Sequence, residues 1–70
     1  MEAINEQRAG RALRALKAYM NISGMEHELE GAIADLSADL LHLAKAEGYA
    51  PKAVAARAWG HYVAETLKEE

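Results

Sequence analysis

The stretch AIADLSADLLHLAKAEG, residues 32–48, decides the fold class of this chain. Its apolar residues, taken with Leu29 before them, recur at steps of three and four, which is the spacing of one face of an amphipathic helix. The stripe consists of Leu29, Ile33, Leu36, Leu40 and Leu43. Gly48 follows the stripe and predicts the helix end, because glycine tolerates the left-handed conformation of a C-terminal cap.

The flanking sequence predicts one helix on either side. Residues 3–20 carry apolar side chains at helical spacing, and the pair Ser23 and Glu26 matches a capping box, which predicts a second helix over 24–47. Pro51 suits the first turn of a third helix over 51–68. The chain is therefore predicted to be a single all-α domain, residues 1–70, folded as a three-helix bundle. The expected core comprises Leu13, Leu16, Ile33, Leu36, Leu40, Leu43, Val54, Trp59 and Tyr62.

Size and composition limit the possible functions. A chain of 70 residues buries only about 60% of its unfolded surface, and this one has no cysteine for disulfides or thiolate metal sites. It has no apolar run of membrane-spanning length and no secretory signal, so we expect a cytoplasmic protein without a membrane partner. The net charge of -3 argues against a general nucleic-acid binder.

The apolar arc of the second helix is too wide for two neighbouring helices to cover, and Leu41 lies beyond it. A surface of this width in so short a chain predicts a homodimer. The expected interface is Leu36, Leu40, Leu41 and Ala44.

An acidic edge runs beside the apolar stripe. Asp35, Asp39 and His42 stand at i, i+4 and i+7, so their side chains share one side of the helix. Carboxylates and imidazole can bind a divalent cation, which is one hypothesis for this edge. The alternative is a polar edge that bonds to Arg or Tyr of a neighbouring helix and needs no cofactor.

Charged side chains on the other segments are candidates for partner binding. Arg8, Arg11 and Arg14 recur every three residues and have no acidic i+4 partner, so they either pair with the second helix or face a protein partner. Glu28 extends the acidic edge, and Arg57 and His61 offer a further surface on the third helix. The short turn before that helix also permits a helix-turn-helix reader of nucleic acid.

Residues 35–58 resemble part of the MazG-like all-α nucleotide pyrophosphohydrolases. Asp35, the Leu43-Ala44 pair, Gly48 and the helix from Pro51 match the family's pattern. The resemblance implies a metal-dependent nucleotide hydrolase. The family's metal-binding Glu, three residues before the Asp, falls on Ala32, and the earlier acidic pair of the family has no counterpart.

A second resemblance covers residues 29–65 and includes polar positions. The pattern is similar to small helical proteins of phage and other mobile elements that have no settled function. It comprises Leu29, Ala32, Asp35, Leu36, Asp39, Leu40, His42, Leu43, Ala44, Gly48, Ala58, His61, Tyr62 and Glu65. This resemblance implies a small non-catalytic protein that binds and modulates or inhibits a host or defence complex, and this is the function we expect. The metal-dependent hydrolase is the alternative, and the nucleic-acid binder comes third.

Overall fold

The computed structural model describes residues 4–23 and 28–69, except for the side chains of 23, 68 and 69. These residues form three α-helices, α1 (Ile4–Ser23), α2 (Leu29–Ala46) and α3 (Pro51–Glu69). No strand occurs within the described ranges. The prediction of an all-α, three-helix chain is confirmed.

The boundary between α1 and α2 differs from the prediction. Helix α1 continues through Ser23, so this residue lies inside a helix and does not cap the next one. Helix α2 begins only at Leu29, and Glu28 precedes it as an N-cap residue whose side chain makes no capping hydrogen bond. The capping-box prediction is wrong for Ser23, while Glu26 lies outside the described residues. The helix can continue because residues 21–23 contain neither glycine nor proline, and Asn and Ser lower helix propensity only modestly.

The turn between α2 and α3 confirms the prediction made from Gly48 and Pro51. Gly48 has φ 88°, in the left-handed region that favours glycine. The Tyr49 amide donates to the Ala44 carbonyl at 2.9 Å, and the Gly48 amide donates to the Lys45 carbonyl at 3.0 Å. This pair of bonds is a Schellman motif, which satisfies carbonyls that the end of α2 would leave unpaired. Helix α3 then starts directly at Pro51.

Helix α1 crosses the α2–α3 hairpin and contacts both of its helices. Asn5, near the start of α1, donates a side-chain hydrogen bond to the backbone carbonyl of Glu65, near the end of α3, at 3.1 Å. In an up-down-up bundle the start of α1 would lie beside Pro51, about 21 Å from Glu65 along α3. The second half of α1 instead reaches the middle of α2, where Tyr19 bonds to Asp39. Helix α1 therefore connects the far end of α3 to the middle of α2.

This arrangement leaves a small core. Among the described residues the buried apolar side chains are Leu16, Ala32 and Ala44, and Leu16 is the only large one. Leu16 lies one turn before Tyr19, and Ala32 lies seven residues before Asp39, so both belong to the faces that the Tyr19–Asp39 bond joins.

Most of the predicted core is exposed. The prediction is wrong for Leu13, Ile33, Leu40, Leu43, Val54, Trp59 and Tyr62, all of which are exposed, whereas Leu36 is half-buried. On α2 the buried residues are Ala32 and Ala44, and not the leucines and isoleucine of the predicted stripe. Leu13, Leu36 and Ile33 line an open groove between α1 and α2.

The dimensions of the molecule show the same openness. The radius of gyration is 13.6 Å, whereas a compact chain of this length has about 11 Å. The accessible surface is 5971 Å², and a compact monomer of this mass would expose about 4,300 Å². The isolated chain thus exposes about 1,700 Å² more than its size requires. None of the described helices has the length and apolar character needed to cross a membrane.

Gly60 does not serve the packing role that a helix glycine often has. A Cβ atom built at Gly60 would meet no atom within 4 Å, and the same holds at Gly10.

Candidate interaction surfaces

The three arginines of α1 do not form one surface. The Arg8 Nε lies 3.8 Å from Oε1 of Glu65, and its guanidinium donates to Oδ1 of Asn5 at 2.6 Å. Arg8 thus belongs to the contact that holds the start of α1 against the end of α3. Both charged side chains of this pair remain partly exposed, so the ion pair contributes well under about 1 kcal/mol. We predicted that Arg8 pairs with the second helix or faces a protein partner, and the structure shows that it contacts α3 instead.

Arg11 and Arg14 lie on the outer face of α1. Both are exposed and border a surface depression together with Glu6, Gln7 and Gly10. Among the described residues neither guanidinium has a hydrogen-bond or ion-pair partner. Lys17, exposed one turn later, continues this basic face. We call Arg11, Arg14 and Lys17 the basic face of α1.

The acidic edge of α2 is occupied in part by α1. The Tyr19 hydroxyl donates to Oδ2 of Asp39 at 2.7 Å. This hydrogen bond, with smaller effects of burial and of the charges on Asp39 and Asp35, raises the pKa of Tyr19 to about 12. The neutral phenol is favoured because only the protonated hydroxyl can donate to the carboxylate. This bond corresponds to the alternative prediction for the acidic edge of α2, in which the edge bonds to a tyrosine of a neighbouring helix.

Within the described part of the chain, no cluster of ligands supports the hypothesis of a metal site. No group of three or more His, Asp or Glu side chains within those ranges lies close enough together to hold an ion. Asp35, Asp39 and His42 share a side of α2, but their spacing along the helix does not bring them around one point. His42 is exposed and borders a separate depression with Leu41 and Lys45.

The remaining candidate partner residues are exposed but scattered. Glu28 stands at the N-terminus of α2, where the helix dipole favours a negative charge. Arg57 and His61 are exposed one turn apart on α3. The structure does not bring Glu28 together with the basic face of α1 in any hydrogen bond or ion pair among the described residues.

The four residues predicted for a dimer interface fall into two sets. Ala44 is buried beside the α2–α3 turn, so the chain already covers it, and Leu41 is half-buried at a surface depression next to Pro51. Leu40 is exposed and Leu36 half-buried. Leu29 and Ile33 are also exposed on the same stripe and were omitted from the predicted interface.

Sequence reasoning missed the contacts that join the helices. Asn5, Tyr19 and Glu65 each make a side-chain or backbone bond to another helix. Asn5 and Tyr19 were not candidates, and Glu65 entered only through the second resemblance. The position of Tyr19 on the same helical face as Leu16 was a usable signal, because it places a donor beside the buried leucine.

Comparison with protein-family models, curated proteins and solved structures gives no significant match.

Proposed function

We propose that this chain is a small non-catalytic interaction protein that works as a homodimer and modulates a protein complex by binding it. The observation that carries the proposal is the surface of the isolated chain, which exceeds that of a compact monomer by about 1,700 Å². Large apolar side chains are exposed on all three helices, for example Leu13 on α1, Leu40 on α2 and Trp59 on α3. Many exposed large apolar side chains in so short a chain are typical of proteins that bind another macromolecule.

The homodimer uses the apolar stripe of α2. Leu29, Ile33 and Leu40 are each about half exposed, and Leu36 is half-buried between them. A stable obligate dimer buries roughly 2,000–5,000 Å² in total. The excess surface of two chains, about 3,400 Å², falls within that range.

The basic face of α1 is the surface we assign to the modulated partner. Arg11, Arg14 and Lys17 lie away from the apolar side of α1, so they stay accessible when the stripe of α2 is covered. Guanidinium groups without internal partners favour an acidic surface on the partner, through charge-assisted hydrogen bonds. The partner's identity rests on the sequence resemblance to phage proteins alone, and a host or defence complex is the first candidate to test.

The hydrolase alternative is disfavoured by Ala32. In the resemblance to MazG-like enzymes this position corresponds to a metal-binding Glu, yet here it is 1% exposed. A glutamate at this buried position would carry its charge out of water, which is costly without a partner. A magnesium site for a triphosphate needs several carboxylates that neutralise and orient the metal.

Nucleic-acid binding through α3 also has little support. Among its described side chains the cations are Lys52 and Arg57, five residues apart and thus about 140° apart around the helix. A reading helix needs several such groups on one face to contact phosphates.

The proposal is tested with a double charge reversal on α1. Arg11→Glu with Arg14→Glu should abolish capture of the partner from host lysate, while the circular dichroism spectrum and the solution mass stay unchanged. The matched control reverses two exposed charges elsewhere, Lys45→Glu with Lys52→Glu, and should retain capture. Unchanged capture by the α1 variant would contradict the assigned surface. Magnesium-dependent release of pyrophosphate by the wild type would contradict the non-catalytic function.

A further inference from the structure

A groove between α1 and α2 is open and almost entirely apolar. Its main lining residues are Ala9, Leu13, Leu16, Leu29, Ile33 and Leu36, and its volume is about 450 Å³. The polar side chain at its edge, Ser37, donates its hydroxyl to the Ile33 carbonyl at 2.8 Å. The groove therefore offers few polar groups to a ligand, and it fits an apolar ridge.

Helix α3 carries such a ridge. Trp59, Tyr62, Val63 and Leu67 follow the spacing i, i+3, i+4 and i+8, which places them within an arc of about 140°. The rings of Trp59 and Tyr62 stack with centroids 5.4 Å apart. Trp59 is 66% exposed and Leu67 is 67% exposed. Apolar anchors at these steps are the pattern by which an amphipathic helix binds in a groove of another protein.

The ridge and the groove of one chain do not fill each other. The Schellman turn holds the start of α3 next to α2, and Asn5 and Arg8 hold its end next to α1 through Glu65. With both ends of α3 held in this way, Trp59 and Tyr62 remain exposed and the groove remains open. Each chain thus presents one apolar groove and one apolar helix face, both without a partner in the described residues.

We infer that the ridge of α3 in one copy binds in the α1–α2 groove of a second copy, and that the second copy returns the same contact. The inference rests on the homodimer part of the proposed function and specifies its geometry. An unrelated helix in the groove would leave the ridge of this chain exposed, whereas a second copy covers both surfaces at once. Because each copy gives its ridge and receives the other's, the two copies form a closed dimer with two-fold symmetry. Neither a groove nor a ridge is left free to bind a third copy and extend into a filament.

The test pairs a groove variant with a ridge variant. Ile33→Lys places a charge in the groove, and Leu67→Glu places one on the ridge; both positions are more than half exposed in the single chain, so folding should persist. In a homodimer of either variant both contacts carry a charge against an apolar surface, and the dissociation constant should rise at least about a hundredfold. In a mixed dimer one contact is wild type and the other sets Lys against Glu. An equimolar mixture should therefore form the dimer again, as measured by native mass spectrometry.

Two controls make every outcome decisive. Ile22→Glu changes an apolar residue that is 85% exposed and lies outside both surfaces, and it should stay dimeric. In the wild type, protection of Trp59 from acrylamide quenching should rise with protein concentration, a measurement that needs no variant to fold. If the single variants remain dimeric, or if their mixture stays monomeric, the reciprocal contact is refuted while the homodimer itself stands. If the wild type is monomeric at every concentration, both proposals fail together.

Discussion

Leu16 is the only large side chain that is buried among the described residues, so its truncation is the sharpest test of where the core lies. Leu16→Ala removes a side chain that is 4% exposed at the junction of α1 and α2. Large-to-small changes of this kind cost about 2–5 kcal/mol, and we expect about 3 kcal/mol because the adjacent groove lets the site relax. The stability of a 70-residue chain is only about 3.5–10 kcal/mol, so this loss is a large part of it.

The assay is guanidinium and thermal unfolding followed by circular dichroism at one fixed protein concentration. The expected drop in melting temperature is about 12–24 °C for 3 kcal/mol in a chain of this size. The matched control is Ile22→Ala on the same helix, which should change stability by less than about 0.5 kcal/mol because Ile22 is exposed. A Leu16→Ala variant as stable as this control would refute the location of the core.

Three further predictions address the turn, the acidic edge and the hydrolase alternative. Gly48→Ala should cost about 1–2 kcal/mol in chemical unfolding, since alanine must adopt the left-handed conformation at that position; an unchanged midpoint would contradict the Schellman cap. Tyr19 should titrate near pH 12 in an absorbance titration of a variant whose other tyrosines are phenylalanine, and Asp39→Asn should lower that value. Folding raises this pKa above the ordinary 10.0, so the contribution of the bond to stability is complete below pH 10 and is lost as pH rises through about 12. Ala32→Glu should destabilise the fold by at least about 3 kcal/mol through overpacking and burial of an unpaired carboxylate, and it should not create magnesium-dependent hydrolysis.

The sequence predicted the helices better than it predicted their packing. The helix boundaries predicted from Gly48 and Pro51 are correct, because each residue acts through the conformation of its own backbone. Local sequence determines that conformation. The capping-box prediction from Ser23 was wrong because a capping box competes with simple continuation of α1. The residues of the capping box alone do not decide between these two outcomes. Periodicity located the apolar stripe of α2, but it carries no information on whether the same chain covers that stripe, and most of the stripe is exposed.

The candidate site shows the same limit. Arg8, Arg11 and Arg14 look equivalent in sequence, yet the crossing of α1 over the hairpin brings only the first of them to Glu65. Asp39 and Tyr19 lie twenty residues apart, so their hydrogen bond follows from the crossing geometry and not from spacing. Such contacts between helices depend on the crossing of α1, which a single sequence does not reveal.

Sedimentation equilibrium of the wild-type chain over a wide concentration range tests the central claim most directly, namely that a second copy covers the exposed apolar surface. The monomer mass is 7.6 kDa. We predict a species of twice that mass at micromolar concentration, with a melting temperature that rises as the protein is concentrated. A mass of 7.6 kDa that persists to high micromolar concentration would contradict the account.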